Sequence, residues 1–486
     1  MALFVDIFGY LSVLLRGLSL ASQSLAVGGV VFLLFVVRPL ASRLGEGGQF
    51  VLARCRRGIA LSAFALALFA ALSLVSDLGA LIDLLGFETA DPLNASFVLA
   101  GGCQIAFALG LAGLVLARPR ASGAALLFPA VGILVASVAT SHAAARLDDR
   151  ALLGTITALH ELAAASWIGA LPYLLAALSA PLAAADLHTL GGRFSRLAMA
   201  SVALLLTTAA GLSYFYIGSF AGLYGTAYGA MVACKASLAL AVLALGAANS
   251  RRVERLARDA GALLPLRRFT ELEVGVGLTV FLATASLISV PPAVDLREGR
   301  LTLAELGARL TPEWPRFTSP DHADLAVSLL QAKLDAEAAQ AGAQPVQAYV
   351  PGGGAALPYI AEDIAWSEYN HHWAGVFVLA IGLLSLIERI TRARWARSWP
   401  LLFIALAVFL LIRSDPEAWP LGQISFWDSL RNPEVAQHRV FMVLITVFAL
   451  FEWGVRTGRL TSPRAALVFP AVCALAGALL LTHSHG

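Results

Sequence analysis

Twelve apolar runs, most close to the length that crosses a hydrocarbon core, constrain this chain more than any other feature. They lie at 10–37, 58–82, 95–117, 122–142, 151–178, 195–218, 226–249, 270–291, 371–389, 398–413, 438–455 and 464–483. A spanning helix needs about 20 consecutive apolar residues. In lipid every backbone N–H and C=O must be satisfied internally, so uncharged runs of this length become helices. The expected fold is therefore all-α: a polytopic integral membrane protein with about 12 transmembrane helices. Composition agrees, since only 13% of the 486 residues are charged, against about 25% in ordinary soluble domains.

Arginine and lysine concentrate in alternate loops. The segments 38–57, 118–120, 193–196, 251–268, 389–397 and 456–464 hold 22 basic residues between them. The opposite side carries Arg16, Arg146, Arg150, Arg413, Arg431 and Arg439 in its short loops, with acidic pairs such as Asp148 and Asp149. The positive-inside rule makes the first set cytoplasmic. Both termini are then expected to be extracytoplasmic. The first apolar run lacks a basic leader and continues to Val37, so it reads as a retained helix, not a cleaved signal.

Several function classes are excluded. The net charge of +3 reflects sidedness, and no basic cluster interleaved with aromatics points to nucleic acid. There is no phosphate-binding G-x-x-x-x-G-K loop, so no nucleotide is expected. Cys55, Cys103, Cys234 and Cys473 are scattered without C-x-x-C spacing, which argues against a thiolate metal site. Four methionines are too few for a thioether path of the kind that suits Cu(I).

The chain divides into an N-terminal four-helix region (1–149), a second four-helix region (150–295), a polar extracytoplasmic segment (296–370) and a C-terminal four-helix region (371–486). The polar segment contains a helix-like stretch, 321–340, and a glycine-rich turn at 351–354. It is expected to be a cap on the membrane domain, with a long unstructured linker as the bland alternative. A repeat also emerges. Phe128-Pro129-Ala-Val and Phe469-Pro470-Ala-Val each follow an arginine (Arg118, Arg459) that lies 11 residues before the proline. Each precedes a histidine (His142, His483) by 13 residues. This is the mark of a duplicated helical hairpin, common in transporter folds.

Eight of the nine histidines fall on the side expected to face outward. Neutral imidazole binds copper, zinc, nickel and haem iron. His142 closes the fourth helix. His160 lies roughly 13 Å into the fifth, beside Glu161, at a depth where an ionisable residue marks a functional site by default. Lys235, two turns below Tyr228, is placed to form an ion pair with Glu161. A second group, Glu368, His371, His372, Glu434, His438, His483 and His485, sits at outer helix ends and is expected to converge if the helices bundle. His371 and His372 are adjacent, so both do not point inward easily. Histidines in these positions can hold Cu(II) or Zn(II), or pair across haem iron. The bland reading is interhelical polar glue and interfacial imidazoles in water. His188 and His322 read as solvated, Glu271 and Glu273 as acids favoured at a helix N-terminus, and Glu452 as snorkelling.

The segment from His142 to Pro292 resembles the copper resistance protein D family. The resemblance is carried by His160-Glu-Leu-Ala-Ala-Ala-Ser-Trp167-Ile-Gly169, Arg193-Phe-Ser-Arg196, Gly225-Thr226-Ala-Tyr228-Gly229 leading to Lys235, Asn249-Ser-Arg251-Arg252, Glu271 and Pro291-Pro292. Ala227 stands where the family usually has proline, and residues 296–486 fall outside the family pattern. The resemblance implies a copper-handling protein of the bacterial inner membrane. Such a protein is not an enzyme. It takes copper from the periplasmic side through His142, His160 and the C-terminal histidines, with Glu161 and Lys235 shaping the interior and a periplasmic copper chaperone as a partner. The alternative is a b-type haem membrane protein in electron transfer or metalloenzyme assembly.

Overall fold

The computed structural model describes residues 2–85, 95–296, 298–311, 314–349 and 360–481. His483, His485 and the turn at 351–354 lie outside the described residues. Among those described there is no strand, and eleven helices are long and apolar enough to cross a membrane. A twelfth, Gly123–Ala139, is apolar but shorter, at 17 residues. All twelve expected helices are thus present, and the protein is an all-α polytopic membrane protein.

The chain forms two compact units, Met1–Leu310 and Thr311–Gly486. The first contains α1 (Ala2–Phe32), α2 (Gly45–Leu85), α3 (Ser96–Ala117), α4 (Gly123–Ala139) and α5 (Arg150–Ala164). It continues with α6 (Leu171–Leu178), α7 (Ala184–Ile217), α8 (Ala227–Leu256), α9 (Leu263–Ile288) and the short α10 (Leu303–Leu310). The second contains α11 (Ala326–Ala341), α12 (Ala361–Thr391), α13 (Leu402–Arg413), α14 (Pro433–Arg456) and α15 (Val468–Leu481). The segment expected as one cap is divided between the units, with α10 in the first and α11 in the second.

Several helices outrun their apolar cores. α7 begins at Ala184 and α9 at Leu263, so Arg193, Arg196, Arg267 and Arg268 sit on helices where loops were expected. Arginine is a good helix former, and hydropathy alone does not report where hydrogen bonding stops. Local chemistry sets other ends. Ser122 and Thr226 accept N-cap hydrogen bonds from Ala125 N and Gly229 N. Asn432 caps α14, whose first residue is Pro433. Gly218, at φ 69°, closes α7.

The core of the first unit forms where α1 crosses the end of α5. There the helix widens into a π turn, Ala165–Gly169, before α6. The crossing is close. A Cβ on Gly28 would lie 2.2 Å from Ala165 O, and one on Gly169 would lie 2.0 Å from Ser24 O. Small residues let helix backbones meet in lipid, where dispersion must hold the pair together. Tyr173 completes the seam by donating to Leu25 O at 2.9 Å and stacking on Phe32 at 6.3 Å.

The duplicated hairpin has a matching contact in each unit. Phe128 on α4 packs edge-on against Phe107 of α3 at 5.8 Å. Phe469 on α15 packs against Phe448 of α14 at 5.4 Å. The paired rings are 21 residues apart in both, and Phe107 and Phe448 each precede the matched arginine by 11. This agreement between sequence spacing and packing supports duplication of α3–α4 as α14–α15.

Candidate functional site

Glu161 is the centre of a polar node inside the first unit, about 16 Å along the helix axis from Arg150. Its Oε2 accepts from Gln23 Nε2 of α1 at 2.7 Å, and its Oε1 accepts from Ser137 Oγ of α4 at 3.3 Å. Gln104 Nε2 of α3 donates to Gln23 Oε1 at 2.8 Å. Four helices are therefore tied to one carboxylate. Lys235 on α8 is within electrostatic reach of Glu161 and His160. The expected Glu161–Lys235 ion pair does not form among the described residues. The amide of Gln23 and the hydroxyl of Ser137 are instead the groups bonded to the carboxylate oxygens.

His160 turns to α7, where its Nδ1 lies 3.0 Å from Thr208 Oγ1. The Thr208 hydroxyl is within donating distance of its own helix, at 2.8 Å from Leu204 O and 3.0 Å from Leu205 O. A hydroxyl has one proton. In the tautomer where that proton serves the helix, Nδ1–H donates to Thr208 and the lone pair resides on Nε2. This is the outer-shell arrangement that fixes a ligating imidazole.

A second node lies deeper, where the sequence reading expected only a helix N-terminus. α9 starts ten residues before Glu273, which is 2% exposed. Its Oε1 accepts from Trp167 Nε1 at 3.1 Å, and its Oε2 from Asn249 Nδ2 at 2.6 Å. Trp167 stands on the π turn after α5, a feature often found at functional sites. Glu271, by contrast, is on the outside of α9 and pairs with Arg268 at 3.0 Å.

His142 lies in the helical turn His142–Ala145 after α4, and its Nε2 donates to Ile288 O at 3.0 Å. The carbonyl fixes the proton on Nε2 and leaves Nδ1 as the lone-pair nitrogen. Burial holds this imidazole below the usual histidine value, against the raising effect of the Ile288 hydrogen bond. Nearby, Arg146 forms a bidentate pair with Asp295, both bonds 3.0 Å, and lies 5.6 Å over the ring of Tyr216. Tyr216 in turn packs on Tyr228 at 6.5 Å.

In the second unit, α12 begins at Ala361, so His371 and His372 lie in its third turn and do not open it. The two diverge as expected. His371 Nδ1 donates to Ser367 O at 2.8 Å on an exposed face. His372 Nδ1 accepts from Arg316 N at 2.8 Å, while Arg316 Nε pairs with Glu368 at 3.0 Å. His438 Nδ1 lies 2.7 Å from Asp415 Oδ1, and Ser414 Oγ donates to Asp415 Oδ2 at 2.7 Å. Burial raises the Asp415 carboxyl, but His438, Ser414 and Arg439 outweigh it and hold it below the usual range. Burial, then Asp415 and Glu434, push Glu417 up to about 7. Glu434 follows the Asn432 cap in the first turn of α14.

Two bland readings from sequence are corrected here. His322 is not merely solvated: its Nε2 donates to Pro416 O at 2.6 Å, and its ring packs 6.1 Å from Trp366. Glu452 is fixed by Arg456 at 2.6 Å, and Arg456 also pairs with Glu388 at 2.8 Å. His188 is half-buried on α7. Among the described residues, no three His, Cys, Asp or Glu side chains gather closely enough to hold a metal ion. His371, His372 and His438 are thus each engaged separately.

Gln23, Gln104, Ser137 and Thr208 were not expected. Gln23 and Gln104 do carry a signal, since an amide inside an otherwise apolar run needs a partner in lipid. No curated protein and no solved structure matches the chain. Residues 188–287 match the family described as copper resistance protein D, a segment that supplies Thr208, Lys235, Asn249 and Glu273 to the two nodes. Through this part of its first unit the chain is similar to the copper resistance protein D family.

Proposed function

We propose that the protein binds copper on its outer side and moves or delivers it inward, as a carrier and not an enzyme, in a bacterial inner membrane. The observation that carries this reading is the His160–Thr208 pair. It links the histidine of the HELAAASWIG motif to the family-matched segment, and with Nδ1 turned to Thr208 it supports Nε2 as the nitrogen offered to copper. Imidazole and carboxylate side by side, without thiolate or thioether, suit Cu(II) better than Cu(I). Copper is the cargo, His142 and His160 are its first contacts, and Glu161 offers an anionic neighbour within the membrane. His371, His372, His438, His483 and His485 are offered as outer-side residues that meet copper singly and apart from this pair. A periplasmic copper chaperone is the natural donor.

Metal analysis and a visible spectrum of the detergent-purified protein, before and after copper addition, test the reading. Stoichiometric copper that is lost on His160→Ala, without a Soret band, supports it. Stoichiometric iron with a Soret band and little copper overturns it in favour of a b-type haem protein.

A further inference from the structure

The Glu273 node plays no part in capturing an ion from outside, yet it is built with care. Glu273, Asn249 and Trp167 come from α9, α8 and the π turn, and all three are buried, at 2%, 6% and 3% exposure. Each carboxylate oxygen has one donor. No cation forms an ion pair with Glu273 among the described residues. Charged and titratable groups on the packed elements are engaged elsewhere. Arg252 lies 3.5 Å over Phe269 and donates to Ala248 O. Arg268 pairs with Glu271, and Tyr173 donates to Leu25 O. Neither Arg38 nor Arg267 forms an ion pair with the carboxylate among the described residues.

One further atom gives the node its meaning. Asn249 Oδ1 is buried and has no hydrogen-bond partner. An amide offers NH2 on one side and C=O on the other. In the orientation seen, Nδ2–H serves the carboxylate and Oδ1 is idle. If Glu273 takes a proton on Oε2, the Nδ2–H···Oε2 bond is lost. Turning the amide over then lets Oε2–H donate to Oδ1. Turning the amide exchanges two groups of like size in place, and the other carboxylate oxygen faces Gly246 of α8, where a Cβ would lie 3.1 Å from Glu273 Oε1.

We propose that Glu273 is a reversible proton-binding site toward the inner end of the first unit, with Asn249 as its amide partner in both protonation states and Trp167 as a fixed donor. Its ligand is a proton, taken up and released without any other covalent change. Trp167 lies six residues beyond Glu161 on the same continuous helix, about 9 Å along the axis. The outer node and the proton site therefore share one rigid element. A role in balancing the charge of a moving metal ion rests on the copper reading above. The proton site does not.

Infrared difference spectroscopy of the full chain in lipid, titrated from roughly pH 4 to roughly pH 10 to span the carboxyl and ammonium ranges, reads the site directly. A protonated-carboxyl band that titrates in the native protein and vanishes in Glu273→Gln is expected. Trp167→Phe removes one donor to the carboxylate and should move that transition to higher pH by roughly one unit. The proposal is overturned if no band depends on Glu273. Should Glu273→Gln fail to fold, it is also overturned if Trp167→Phe and Asn249→Leu both leave every carboxyl transition in place. Copper stoichiometry on the same samples separates the two ideas. A titrating Glu273 in a protein that never binds copper keeps the proton site and removes the copper reading.

Discussion

The imidazole of His160 and the hydroxyl of Thr208 meet at 3.0 Å across α5 and α7, and the hydroxyl's own proton is committed to carbonyls of α7. In the tautomer with Nδ1–H donating to Thr208, Nε2 is the ring nitrogen left to ligate. Thr208→Val keeps the shape and removes the acceptor. It should weaken copper binding by roughly 10–100-fold, as loss of an outer-shell partner does, with little change in folding. Isothermal titration with Cu(II) on folded protein checks this. Unchanged affinity would mean that His160 does not need the hydroxyl.

The Gln104–Gln23–Glu161 chain predicts an ordered series of stabilities. Gln23→Leu leaves Gln104 Nε2 and Glu161 Oε2 without their partners in a low-dielectric interior. It should cost about 1–3 kcal/mol. Gln104→Leu removes only the terminal donor and should cost less. Thermal denaturation in detergent gives the order, and a Gln104→Leu loss equal to or above that of Gln23→Leu would refute the chain as drawn.

Gly169 should accept no side chain. Even alanine brings a Cβ to 2.0 Å from Ser24 O, a backbone atom with no flexible end to move aside. Gly169→Ala should destabilise the first unit by about 1–3 kcal/mol or more and reduce the monodisperse fraction on size exclusion. Gly102→Ala, on α3 where a Cβ meets nothing within 4 Å, is the control and should behave as native.

The acidic residues around His438 predict opposing pH effects in the second unit. Glu417 has its carboxyl raised from 4.5 to about 7 by burial and by its acidic neighbours. The folded state thus prefers the neutral acid. Its stabilising contribution is full below about 4.5 and falls as pH rises to about 7. Asp415 is held below the usual range, so its contribution is present above an ordinary aspartate value and is lost as pH falls through its native one. Glu417→Gln should therefore raise the melting temperature at pH 8 more than at pH 5, and Asp415→Asn should flatten the acid limb. Parallel melting curves for native protein and Glu417→Gln at both pH values would contradict the Glu417 assignment.

Much of the architecture was legible from residues alone. Apolar runs gave the helices because lipid leaves the backbone no other partner than itself. The 11- and 13-residue spacings around Pro129 and Pro470 pointed to a duplicated hairpin, and the Phe107–Phe128 and Phe448–Phe469 contacts agree with it. His160 and Glu161 stood out because ionisable groups at that depth are costly. Helix ends were less legible, as Ala184, Leu263 and Ala361 show, because polar residues continue a helix without any change in hydropathy that marks its start.

What the amino-acid sequence determined, then, is which segments span, the basic asymmetry between their ends, and which polar residues need explanation. What the tertiary structure alone decided is who answers them. Gln23 reaches Glu161 across 138 residues of chain, and Trp167 reaches Glu273 across 106. Periodicity shows the face a helix presents but not the neighbour that meets it. That neighbour is selected by close approach at Gly28 and Gly169 and by the π turn that aims Trp167, and these arise only when all the helices pack together.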